Sequence, residues 1–261
     1  MKHLSEKYFS DFKGLINTRL NIKGMRRFIF GTFLVTCFMA GIPLLNIVNS
    51  EEWITVGWGE ISFFWQMVFC FELVLSFFQI LIFLIFWKDN NISQKILSIS
   101  IIIYGYKMTI DPFVFISYAA MDRGVYETVK LYLIAILILG LLVHLIFLSR
   151  WISKLKKGAF SLNGDDSTKK SSNSLKILFP IIFAIVAFSF LLIRKIPEFE
   201  NVILIIGAII ILIGIGYAIC EFIIVAYCIF RFPSFAVNPP KQNKSQYVTP
   251  KNQRKKKKRK K

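Results

Sequence analysis

Five ionisable side chains lie inside long apolar runs of this 261-residue chain: Glu72, Lys107, Asp111, His144 and Glu221. Such a group in hydrocarbon costs several kcal/mol unless it is paired or wet, so each one needs a reason. Helical spacing groups them. Glu72, Ser76 and Gln79 share one face, and Ser100, Tyr104, Lys107 and Asp111 share another. On a third segment Gly214, Ala218 and Glu221 form a stripe whose small residues admit a neighbouring helix.

A rise of about 1.5 Å per residue places Glu72, Lys107 and Glu221 about 14–17 Å from the ends of their segments, the middle of a core about 30 Å thick. Asp111 falls one turn further out, and His144 nearer the inner face, where it is more easily hydrated. The expected cluster is therefore Glu72, Lys107, Asp111 and Glu221, three carboxylates around one ammonium. Two excess negative charges in low dielectric are relieved by binding cations or by retaining a proton. Glu72 and Glu221 are the expected proton holders, because Asp111 has Lys107 one turn away. Pro112 removes the hydrogen bond to the Met108 carbonyl and predicts a kink. A broken helix at this depth is how many transporters build an ion site, although such kinks also occur in inert spans. Three readings stay open: a cluster that fixes helix packing, one that moves ions or protons, and one that senses lipid or ligand.

The elements that must position these groups are membrane spans. Apolar residues make up 55% of the chain, 27 of them Phe, and charged residues only 18%. Mean hydropathy is +0.58. A disordered protein and a soluble single-core enzyme are both excluded. Hydropathy predicts six transmembrane helices, at 28–48, 63–87, 96–118, 129–149, 177–193 and 202–230. The first starts too late and runs too long for a cleaved signal peptide. The fold class is thus an all-α integral membrane protein.

Lys and Arg set the orientation. Of 33 in the chain, 28 fall in the N-terminal segment, the 88–95 and 150–176 loops and the C-terminal tail, and Arg123, Lys130, Arg194 and Lys195 fall on the other side. Positive charge stays inside, so both termini are expected in the cytoplasm of a plasma membrane. Glu51, Glu52, Glu60, Asp122, Glu127, Glu198 and Glu200 fall outside, with Trp53 and Trp58 as interfacial anchors.

The expected organisation is a cytoplasmic segment (1–27), a four-span bundle (28–149), a basic flexible loop (150–176), a two-span hairpin (177–230) and a disordered polybasic tail (231–261). Leu4, Tyr8, Phe12, Leu15 and Ile16 recur at helical spacing between Lys7, Lys13 and Arg19. That pattern suits either an amphipathic helix on the inner leaflet or a short, partly ordered tail. The tail ends in Arg254, Lys255, Lys256, Lys257, Lys258, Arg259, Lys260 and Lys261. Near anionic phospholipid headgroups each is worth about 1 kcal/mol, so the membrane surface is the expected partner, ahead of an acidic protein or RNA.

Enzyme motifs are missing. His3 and His144 make no His-Glu-x-x-His metal site, no Cys–His pair is expected on adjacent spans, and no nucleophile elbow, phosphate loop or dinucleotide fingerprint occurs. A membrane aspartyl protease would need a second group beside Asp111 in its own motif, which is absent. No metal or cofactor is expected. Cys37, Cys70, Cys220 and Cys228 all lie in apolar runs, which points to free thiols. The abundance of Phe, Ile, Lys and Asn points to a low-GC bacterium. The functional expectation is a non-enzymatic accessory or immunity-type component acting through a protein partner in the membrane. The alternative is a small ion- or proton-coupled permease.

Overall fold

The computed structural model describes residues 4–48, 56–160 and 202–238. Of these, 84% are helical, and no strand occurs among them. A 3-10 turn at Glu6–Phe9 leads into α1 (Ser10–Asn17). Then come α2 (Ile22–Thr36), a π-helical turn (Cys37–Gly41) and α3 (Ile42–Val48), which together form one continuous rod. The remaining helices are α4 (Phe63–Ile85), α5 (Asn91–Asp122), α6 (Tyr126–Lys156) and α7 (Val202–Arg231). Five of these segments are long and apolar enough to cross a membrane. The sixth expected span, 177–193, lies outside the described residues.

Chain punctuation is local chemistry. Asn21 and Asn90 accept the backbone N–H of Gly24 and Ser93, both at 2.7 Å, and so cap α2 and α5. Gly124 and Gly158, at φ 70° and 72°, take the left-handed conformation that ends α5 and α6. The π-helical turn sits where Pro43, two residues after it, lacks the N–H that would bond Met39 in a regular helix.

Helices α5 and α7 form the centre. Their span windows are 61% and 56% buried, against 17% for α4. The outer faces of α4 and α6 are apolar: Phe64, Phe71 and Phe78 are more than half exposed. In water such a surface would drive aggregation; in lipid it is the ordinary outer face of a span.

Gly105 lies against Ile219, and Lys95 Nζ lies 5.5 Å from the Phe230 ring, so α5 and α7 run antiparallel. At one end the N-terminal segment folds back on them. Phe9 packs on Tyr227 and Phe232, and Phe12 on Trp151 and Phe160. Its apolar face is covered by protein, which corrects the expectation of a helix laid on the leaflet. Phe9, Phe12 and Ile16 find a complementary groove among α5, α6 and α7, and burial there competes with lipid.

Pro112 lies inside the continuous helix α5. Two further expectations change. The 150–176 loop begins as helix, and Phe160 stacks on Trp151 while its carbonyl accepts the Asp11 N–H at 3.2 Å. The tail is ordered to Asn238, because Gln94 donates to the Phe235 carbonyl at 3.0 Å and accepts from Val237 N–H at 2.9 Å. Residues 161–176 and the basic run Arg254–Lys261 lie outside the described residues.

Candidate functional site

Lys107 sits near the middle of the 32-residue α5, about 24 Å from its start at 1.5 Å per residue. Its ammonium donates to Thr36 Oγ1 at 3.0 Å and to Asp111 Oδ1 and Oδ2 at 3.0 and 3.1 Å, and it forms an ion pair with Glu72. Thr36 donates in turn to Asp111 Oδ2 at 2.5 Å. Three helices therefore meet at one ammonium: α2 through Thr36, α4 through Glu72, and α5 itself. Lys107 is 5% exposed, Glu72 7% and Asp111 0%. Lys107 hydrogen-bonds to Thr36 and Asp111, whereas Glu72 meets it as an ion pair and its buried Oε2 makes no hydrogen bond.

Two more polar rungs join α2 to α4 on the same seam. Gln79 donates to Thr32 Oγ1 and to the Ile29 carbonyl, both at 2.8 Å. Nearer the start of α2, Arg26 donates to the Phe86 carbonyl at 3.1 Å, to the Trp87 carbonyl and to Asp89 at 3.1 Å, with its guanidinium over the Trp87 ring. Tyr104 donates to the Leu75 carbonyl at 3.3 Å, and Ser100 is buried as the stripe required.

Glu221 is elsewhere. The α5–α7 register places it about four residues, or about 6 Å, beyond the level of Lys107. Both its oxygens accept Arg19 Nη2, at 2.5 and 2.6 Å. The expected four-member cluster is thus corrected to three charged groups plus Thr36. The N-terminal segment delivers a guanidinium to Glu221, which a carboxylate in a low-dielectric site takes in preference to sharing a lysine with two others. The charge excess at Lys107 falls accordingly, from two negative charges to one. The small-residue stripe also changes. Gly216, rather than Gly214, is the buried glycine of α7, and its carbonyl accepts a bond from His144.

His144 is buried and fully partnered, which corrects its placement in a hydrated region. Its Nδ1 lies 2.8 Å from the Gly216 carbonyl, and its Nε2 lies 2.8 Å from Tyr106 Oη. A carbonyl only accepts, so Nδ1 carries the proton and Nε2 accepts from the tyrosine. Cys220 Sγ lies 3.7 Å from Nδ1, which corrects the expectation that no Cys–His pair sits on neighbouring spans. Residues 76 positions apart on different helices have no spacing signature. The protonated Nδ1 cannot take a thiol proton, so the pair is not an activated nucleophile. Tyr106 and His144 line a cleft of about 170 Å³ between α5, α6 and α7.

No group of three His, Cys, Asp or Glu side chains among the described residues has metal-holding geometry. All four cysteines are free.

These features define a protein that is helical and strand-free among the described residues, whose long apolar helices place it in a membrane, with a buried ion network that joins three of them. Compared with known proteins, the chain matches no family, no curated protein and no solved structure.

Proposed function

We propose that this chain is a non-enzymatic, multi-pass component of a bacterial plasma membrane that acts through a protein partner in the bilayer. Six spans, both termini in the cytoplasm and a basic tail on anionic headgroups complete the proposal. The observation that supports it is that one buried ammonium ties three helices together. Lys107 donates to Thr36 on α2 and to Asp111 on α5 and pairs with Glu72 on α4, so the most polar site at membrane depth holds helices in place. The test is a cross-linked pull-down in mild detergent. A membrane protein recovered at constant stoichiometry is expected. Recovery of the chain alone, together with solute-driven proton flux in proteoliposomes, would reverse the reading.

A second reading, a small proton-coupled carrier, draws on the one excess negative charge. Asp111 has Thr36 and Lys107 as donors, whereas Glu72 has only Lys107, so Glu72 is the carboxylate placed to exchange a proton. Glu72→Gln separates the two. It leaves one ammonium opposite one carboxylate, so a packing cluster keeps its abundance and thermal stability while a carrier loses its flux.

A further inference from the structure

Cations gather where α2 begins and α4 ends. Arg26, 8% exposed, donates to the Phe86 and Trp87 carbonyls and to Asp89, which fixes the two helix ends at one level. Lys23 and Arg27 flank it on α2, one turn apart, and Lys88 adjoins the clamp on the other chain segment; all three are exposed. Asp89 is taken by Arg26, Glu221 by Arg19 and Glu6 by Lys13, so Lys23, Arg27 and Lys88 form no ion pair among the described residues. Of the acidic residues outside the described part, only Asp165 and Asp166 fall on the side expected for this end, and Lys169 and Lys170 adjoin them in sequence.

An aromatic ladder runs inward from these cations. The Arg26 guanidinium lies 5.1 Å from the Trp87 ring, Phe83 meets Trp87 at 5.6 Å, and Phe30 meets Phe83 at 5.5 Å. Trp87 and Phe30 both keep an exposed face. The apolar runs begin at Phe28 and end at Trp87, so the cations stand at the hydrocarbon boundary, the level of lipid phosphates.

We propose that this α2–α4 seam is a discrete site for one anionic phospholipid. Its phosphate sits among Lys23, Arg27 and Lys88, and an acyl chain lies along Phe83 and Phe30. Charge complementarity selects this occupant: three uncommitted cations at phosphate depth, directly above lipid-facing rings. A soluble phosphate would use the cations and leave the ladder idle. The proposal rests on the membrane setting alone, and neither the protein partner nor the basic tail enters it.

The experiment is native mass spectrometry of the full chain in non-ionic detergent with three probes. They are dioleoyl phosphatidylglycerol, dioleoyl phosphatidylcholine and the deacylated headgroup glycerophosphoglycerol. One phosphatidylglycerol is expected to stay bound, about tenfold tighter than phosphatidylcholine, with the free headgroup weaker than either. Lys23→Gln with Arg27→Gln removes most of that preference. Lys156→Gln with Lys157→Gln, an equal loss of exposed charge at the end of α6, leaves it intact, as does replacement of the basic residues 254–261 by Gln. Equal loss from the two double variants, equal retention of the two lipids, or headgroup binding as tight as the whole lipid overturns the proposal.

Discussion

Thr36 shows how a neutral side chain completes a charged site. Its hydroxyl accepts from Lys107 and donates to Asp111, so it turns an ion pair into a closed ring of donors and acceptors. Removing the cation alone should be severe. Lys107→Met leaves two buried carboxylates without a counter-charge and should lower stability by about 3–5 kcal/mol, read as thermal unfolding in detergent. Adding Glu72→Gln and Asp111→Asn should restore most of that loss, and a triple variant as unstable as the single one would contradict the packing role. Glu72, Lys107 and Asp111 were legible in the sequence because helical spacing and depth both follow from residue number. Thr36 was not, since a threonine in a span carries no hydropathy signal. The partner of Glu221 was not legible either, because it depends on how α7 is rotated and on a segment 202 residues away.

At the scale of elements, the contact between α6 and α7 turns on one glycine. A Cβ built on Gly140 would lie 2.3 Å from Leu212 Cδ2 and 2.7 Å from its Cγ, whereas one on Gly214 meets nothing within 4 Å. Gly140→Ala should therefore cost about 1–3 kcal/mol through overpacking. Gly214→Ala should be neutral or slightly stabilising, since alanine is the better helix former. Parallel melting curves check the pair, and equal effects would mean that the two helices slide freely. The sequence reading chose Gly214 because it shared a stripe with Glu221. That stripe identifies a face of α7 but not what the face meets. Span positions were far more legible, because about 20 consecutive apolar residues have few alternatives to crossing a bilayer. The fold-back of the N-terminal segment was hidden, since an amphipathic pattern fits lipid and a protein groove equally well.

For the whole molecule, the proposed orientation follows from where basic residues gather, and accessibility tests it. In a background without the native cysteines, Ser50→Cys should react with a membrane-impermeant maleimide in intact cells. Ser171→Cys should react only after permeabilisation. Labelling of both from outside would invert or break the proposed map.

The pairing of Phe9 with Tyr227 joins positions 218 residues apart, and it bears on biogenesis. The aromatic turn at Glu6–Phe9 leaves the ribosome long before the helix that shelters it exists. Until α7 is in place, that turn and the neighbouring Phe12 lack part of the surface they pack on. Closure of the N-terminal segment is therefore a late step of assembly, dependent on a helix made some two hundred residues after it.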